Sequence, residues 1–128
     1  MVKAVNPGKA VGYMTKAENS LRMAKIGIDQ QAYDNAIMSA IHSAINALDA
    51  LTTSYLNKRA SGSHTDMLEL IKGIFSSNEY NDMKKQFMSL IGKKNETEYQ
   101  PDLMSQKDAQ IAIKCAERIL SKVKAKMN

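Results

Sequence analysis

The stretch that decides the fold is Tyr33-Asp34-Asn35-Ala36-Ile37-Met38-Ser39-Ala40-Ile41-His42-Ser43-Ala44-Ile45-Asn46-Ala47-Leu48-Asp49-Ala50-Leu51. Its apolar positions Tyr33, Ile37, Ile41, Ala44, Leu48 and Leu51, with Tyr55 beyond, recur at steps of three and four. Those steps hold one seam on an α-helix. Ala36, Ala40, Ala47 and Ala50 set small residues on the neighbouring faces, and Asp49 is the only formal charge between Ala36 and Leu56. A helix apolar on several faces is packed by other helices on more than one side. The spacing predicts a helix over 31–57 that serves as the hub of a bundle.

Four flanking segments carry the same periodicity. Ala10, Met14, Ala17, Leu21 and Ala24 stripe a helix over 9–26, with Lys9, Lys16, Glu18, Arg22 and Lys25 on its wet faces and Gly27 as its stop. Ser63, with Asp66 three residues on, caps a helix over 64–76 that turns Met67, Leu68, Ile71, Ile74 and Phe75 inward. Asn78 or Asn81 starts a fourth over 79–92, lined by Met83, Phe87, Leu90 and Ile91 and stopped by Gly92. Lys93 to Met104 is polar, contains Pro101, and reads as a loop. Ser105, with Asp108 three residues on, caps a last helix over 106–126 whose seam is Ala109, Ala112, Ala116, Ile119, Val123 and Met127. Strand-type alternation is nowhere sustained, so no strand is expected. Residues 1–8 read as a flexible or extended lead. The expected fold is all-α: a single up-and-down bundle of five helices, one domain over 1–128.

Composition agrees. A chain of 128 residues is one domain's worth and buries roughly two thirds of its unfolded surface. Hydrophobic residues at 44% and charged residues at 24% exclude a disordered chain. Six Gly and two Pro exclude collagen-like and low-complexity classes. Cys115 stands alone, which excludes a disulfide framework and a cysteine zinc site within one chain. His42 and His64 leave little for any other metal, and no P-loop, G-x-G-x-x-G or G-x-S-x-G motif calls for a cofactor. No run is apolar enough to span a membrane and no apolar leader follows Met1, so the expected compartment is the cytoplasm. The net charge of +5 favours anionic partners such as nucleic acid or nucleotides, although surplus lysines also serve to solvate helices.

Three groups of residues could carry chemistry. Arg59 and His64 are separated by four residues between the second and third helices. At one phosphodiester, Arg would stabilise the pentavalent charge and His would handle the proton of the 2′-hydroxyl or of the leaving group. The alternative is an Arg favoured by a helix C-terminus and a His bonded locally at a helix start. His42, Asn46 and Asp49 share one face of the hub helix, either as part of a site or as internally paired polar groups. Lys114, Arg118, Lys122 and Lys126 form a basic ridge on the last helix, a phosphate track or simply a complement to the helix dipole. Base stacking has little to work with: among the aromatics only Tyr99 lies beside a basic pair, Lys93 and Lys94. Cys115 has no base beside it in sequence and reads as packing.

The alanine-rich stretch Tyr33 to Leu51 resembles the central helix of HEPN domains, the "higher eukaryotes and prokaryotes nucleotide-binding" family. Ser61-Gly62-Ser63-His64 with Leu68, Leu70 and Ile71 is similar to the loop and helix that follow in that family. Glu98-Tyr99 and Asp108-Ala109 through Ala116-Glu117-Arg118-Ile119-Leu120 are similar to its C-terminal part. The resemblance runs from about Lys9 to the end. It implies a helical bundle that commonly forms a homodimer, and it implies functions that include metal-independent RNA cleavage, toxin partnership with a nucleotidyltransferase, and nucleotide-binding or scaffolding. Ribonuclease members carry Arg, four to six residues, then His, a spacing that Arg59 and His64 meet. Their motif falls late, near the last long helix, where this chain has Lys93 to Tyr99 without Arg or His. Ala60 replaces the usual polar residue after the Arg, and Asp66 stands where some toxin members carry a modified Tyr. The expected function is therefore a non-catalytic HEPN-like module that binds a nucleotide, RNA or partner protein, with Lys93, Lys94 and Tyr99 as candidate ligand contacts. A ribonuclease using Arg59 and His64 at a dimer cleft, and a structural adaptor with no ligand site, are the alternatives.

Overall fold

The hub helix forms where the apolar spacing demands it. The computed structural model describes residues 1–128 in the order β1 (Val2–Ala4), a 3-10 turn (Pro7–Lys9), α1 (Ala10–Asp29), α2 (Tyr33–Leu56), β2 (Lys58–Ala60), α3 (His64–Lys72), α4 (Ser77–Tyr99) and α5 (Gln106–Met127). Ile37, Ile41, Ala44, Leu48 and Leu51 of α2 are fully buried. Each large apolar side chain so buried contributes roughly 1.5–3 kcal/mol. Helix α2 packs most extensively on α1 and α5, with α4 beside α5.

Small residues set the α1–α2 contact. Ser43 Oγ donates to the Ala17 carbonyl at 2.7 Å, which satisfies a fully buried hydroxyl across the interface. Gly27 does not stop α1, which continues to Asp29. A Cβ at Gly27 would stand 3.1 Å from the Ala36 Cβ and 3.2 Å from its Cα, so this glycine lets the two backbones approach. Gln31, at φ 61, supplies the left-handed turn instead.

The helix ends beyond α2 differ in part from the sequence reading. Ser105 and Asp108 form the expected capping box. Ser76 and Glu79 form a second, two residues upstream of the expected start. Ser63 makes no side-chain cap: the Asp66 N–H donates to the Ser63 carbonyl at 3.1 Å, and the Asp66 carboxylate pairs with the Met1 amino group. Gly92 does not stop α4 either: it needs no positive φ, and the helix runs to Tyr99. Thr97, buried, donates to the Lys93 carbonyl at 2.7 Å, and Lys93 Nζ reaches Asp108 at 3.4 Å, pinning the extension to the start of α5. Gln100 is extended, as a residue before proline must be, so Pro101 ends the helix.

A two-stranded ribbon corrects the expectation of no strand. Val2, Lys3 and Ala4 pair antiparallel with Ala60, Arg59 and Lys58. The left-handed Asn57 ends α2 and turns the chain back, and its carbonyl accepts from Val5 N–H at 2.8 Å. The Ser61 N–H donates to the Met1 carbonyl at 3.0 Å. Strands of three residues leave no alternation to read, because backbone groups alone hold them, and a pair this short stands only against another element. Here α2 and α3 lie beside the ribbon.

Candidate functional site

The ribbon gathers cations. Residues directly opposite in an antiparallel pair point to the same side, so Lys3 and Arg59 share one face of the ribbon. Positions 9, 13 and 16 of α1 and its preceding turn step by four and three, so Lys9, Tyr13 and Lys16 share one helix face. The two faces enclose an open cavity of about 380 Å³ lined by Lys3, Lys9, Lys16 and Arg59 with Tyr13 and the bare backbone of Gly12. No acid lines it. None of the four cations forms a salt bridge, and the Arg59 guanidinium donates only to the Ala60 carbonyl, at 3.2 Å. Helix α1 begins with no side-chain cap and no acid in its first turn, so the positive end of its dipole adds to the same field. Three other clefts mix acids with cations. The largest, about 620 Å³ between α1 and α5, sets Lys25, Lys107 and Lys114 against Asp29 and Glu117.

In the last turns of α2, two polar side-chain atoms lie buried without partners. Asp49 Oδ1 and Thr53 Oγ1, one turn apart, make no hydrogen bond. Burial pushes the Asp49 carboxyl up to about 6, against a smaller opposing pull from the Arg59 guanidinium. Arg59 thus lies between a buried acid and a cavity of cations.

His64 belongs to other surroundings. Its ring meets the Phe87 ring edge-on, with centroids 5.8 Å apart, and burial followed by the charge of Lys94 lowers its pKa. It does not line the Arg59 cavity. Lys93, Lys94 and Tyr99 serve different surroundings: Lys93 pairs with Asp108, the charge of Lys94 acts on His64, and Tyr99 is 74% exposed on the last turn of α4. On the hub helix His42 is exposed and Asp49 buried, and the Asn46 amide donates to the His42 carbonyl at 2.9 Å. The basic ridge of α5 is interleaved with acids. Lys126 pairs with Glu79 at 3.3 Å, while Arg118 and Lys122 border a cleft that also holds Asp82 and Glu117. Cys115 is buried. No three His, Cys, Asp or Glu side chains gather as a metal site would need, and no helix is long and apolar enough to cross a membrane.

The comparisons with known proteins bear on the whole bundle. The family model of the HEPN domain matches residues 10–126. The chain belongs to the HEPN domain family. Its fold is similar to that of TT1696 from Thermus thermophilus, at TM-score 0.76 and 21% identity, over 92% of this chain and 98% of that one. It is also similar to ST0689, described as an archaeal HEPN homologue, at TM-score 0.70 and 20% identity, over 93% of this chain and 98% of the other. No curated protein matches the sequence. Within this HEPN chain Lys3 and Lys9 precede the matched span, whereas Lys16 and Arg59 lie inside it. Sequence reasoning singled out Arg59 but left Lys9 and Lys16 as wetting residues and passed over Lys3 and Tyr13. The four- and three-residue steps from Lys9 to Lys16 were visible. Nothing local marks Lys3 as their neighbour, because that depends on a strand pair across 56 positions of sequence.

Proposed function

We propose that this HEPN-family chain is a non-catalytic module that binds a phosphate-bearing ligand, a nucleotide or RNA, at the cavity around Arg59. The observation that carries the reading is the acid-free convergence of Lys3, Lys9, Lys16 and Arg59. An anion entering it meets unpaired cations and a helix start, a combination that attracts phosphate over short range and weakens as salt rises. The separation of His64 from that cavity supports a binding role over cleavage, since acid–base help needs the imidazole within hydrogen-bond reach of the phosphodiester. In this reading the module works in the cytoplasm as a homodimer, and a nucleotidyltransferase-type protein is the partner class to test.

Two measurements test it. Binding of a fluorescent nucleotide and of a single-stranded RNA is titrated for wild type and Arg59→Ala; loss of most affinity in the variant, and decline with salt, are expected. RNA cleavage in EDTA is assayed for wild type and His64→Ala. A ribonuclease would lose roughly 10²–10⁴-fold on removal of the histidine. Metal-independent cleavage that vanishes with His64 at unchanged melting temperature would promote the Arg59–His64 ribonuclease over this reading.

A further inference from the structure

We infer that the cavity takes a compact oligophosphate and that this ligand clamps the N-terminal strand β1 onto β2. The inference rests on the anion-binding reading above and adds two things: the shape of the anion and a mechanical consequence of binding it.

The shape follows from the spread of the cations. Lys9 and Lys16 stand roughly 10 Å apart along the helix, at 1.5 Å per residue. Lys3 and Arg59 face them from the ribbon, on two different strands. A single phosphate would have to draw four long side chains to one point and freeze all of them. A chain of two or three phosphates meets them where they stand. The cavity, at about 380 Å³, lies near the lower bound for small-molecule sites rather than forming a track for an extended strand. Tyr13 is its single aromatic, whereas an RNA tract uses successive stacking platforms. The backbone at Gly12 is open, since a Cβ there would touch nothing, so phosphate oxygens can approach α1 closely.

The mechanical consequence follows from the register. Lys3 lies directly opposite Arg59, and like charges directly opposite across a strand pair destabilise it. Against that repulsion the short ribbon sets its backbone bonds, the Met1–Asp66 ion pair and its contacts with α2 and α3, and it stays marginal by itself. An anion lying between the two cations turns the repulsion into a bridge, so binding energy is shared with strand docking. The reporters are two amides outside the ladder itself: Val5 N–H, which donates to the Asn57 carbonyl, and Ser61 N–H, which donates to the Met1 carbonyl.

The test titrates the full chain with inorganic triphosphate, orthophosphate and a single-stranded RNA lacking terminal phosphate, for wild type, Lys3→Ala and Arg59→Ala, and follows hydrogen exchange at Val5 and Ser61. Triphosphate is expected to bind at least tenfold tighter than orthophosphate, to lose tenfold or more in each variant, and to slow exchange at both amides about tenfold. Tight triphosphate binding that needs Arg59 but not Lys3, with exchange unchanged, would overturn the clamp and leave the anion-binding reading standing. RNA binding through Arg59 without triphosphate binding would overturn the oligophosphate and leave that reading standing too. No binding of any of the three would overturn both. Lys3→Ala, which removes an exposed side chain, is expected to melt no lower than wild type. Arg59 is half-buried and acts on Asp49, so for Arg59→Ala the helical circular dichroism at the titration temperature, expected to match wild type, separates lost contacts from lost fold.

Discussion

The two halves of α2 follow different rules. From Ala36 to Leu48 the helix is close-packed between α1 and α5, and the one buried hydroxyl, Ser43, has its partner. In the last turns Asp49 Oδ1 and Thr53 Oγ1 are also buried but unpartnered, and the neighbouring element is a short ribbon carrying Lys3 and Arg59 outside any salt bridge. The first half is built for stability. The second accepts an orphaned carboxyl under the pull of a guanidinium, the kind of local penalty that proteins keep where a site needs it. The contrast separates what holds the HEPN bundle together from the surface proposed above to meet an anion.

The largest effect is expected in the packed half. Leu48→Ala should destabilise the fold by about 2–5 kcal/mol, because a fully buried leucine leaves a cavity that surrounding helices cannot close. A thermal melt within a degree or two of wild type would break the comparison at its firm end.

Asp49 probes the other half. Its carboxyl holds a proton up to about 6 in the folded chain, against an ordinary value of 3.8. The folded state therefore binds that proton more tightly than the unfolded state, and the contribution is fully present below 3.8. It declines as pH rises from there through about 6 and is gone above. The size is on the order of 2–3 kcal/mol, at 1.36 kcal/mol per pH unit. Asp49→Asn should remove this fall and leave the protein more stable than wild type at pH 8. Denaturant titrations at pH 4.5 and pH 8 check it: identical pH dependence in variant and wild type would mean that Asp49 is not the strained group.

The smallest effects sharpen the comparison at two glycines that look alike in sequence. Gly27→Ala should destabilise by about 1–3 kcal/mol, since its Cβ would press on the Ala36 backbone at the start of α2. Gly92→Ala should instead stabilise by about 0.5–1 kcal/mol, because the site is open and helical and alanine is the better helix former. Melting both variants beside wild type gives opposite signs if close packing is confined to the α1–α2 contact, and matching signs if it is not.

Both glycines read as helix stops in the sequence, and neither is one. A stop signal is local, but whether a glycine serves a turn, a close approach or nothing depends on what faces it. The same limit applies to the loop expected over 93–104. Its polar composition hid a helical extension that Lys93 and Asp108 pin from outside. The capping box at Ser105 and Asp108 was legible because donor, acceptor and spacing all lie within four residues.

The sequence by itself determined the all-α bundle, its hub helix, the buried seam of Ile37, Ile41, Ala44, Leu48 and Leu51, and the family. Those rest on a helical period repeated over many turns, so each residue confirms the next. Arg59 was legible as a candidate, but only the tertiary structure decided its company. It joined Arg59 to Lys3, Lys9 and Lys16, and left His64 against Phe87. The physical reason is the ribbon: three backbone-paired residues on each side leave no side-chain pattern, yet they bring together residues 56 positions apart and set Lys3 opposite Arg59.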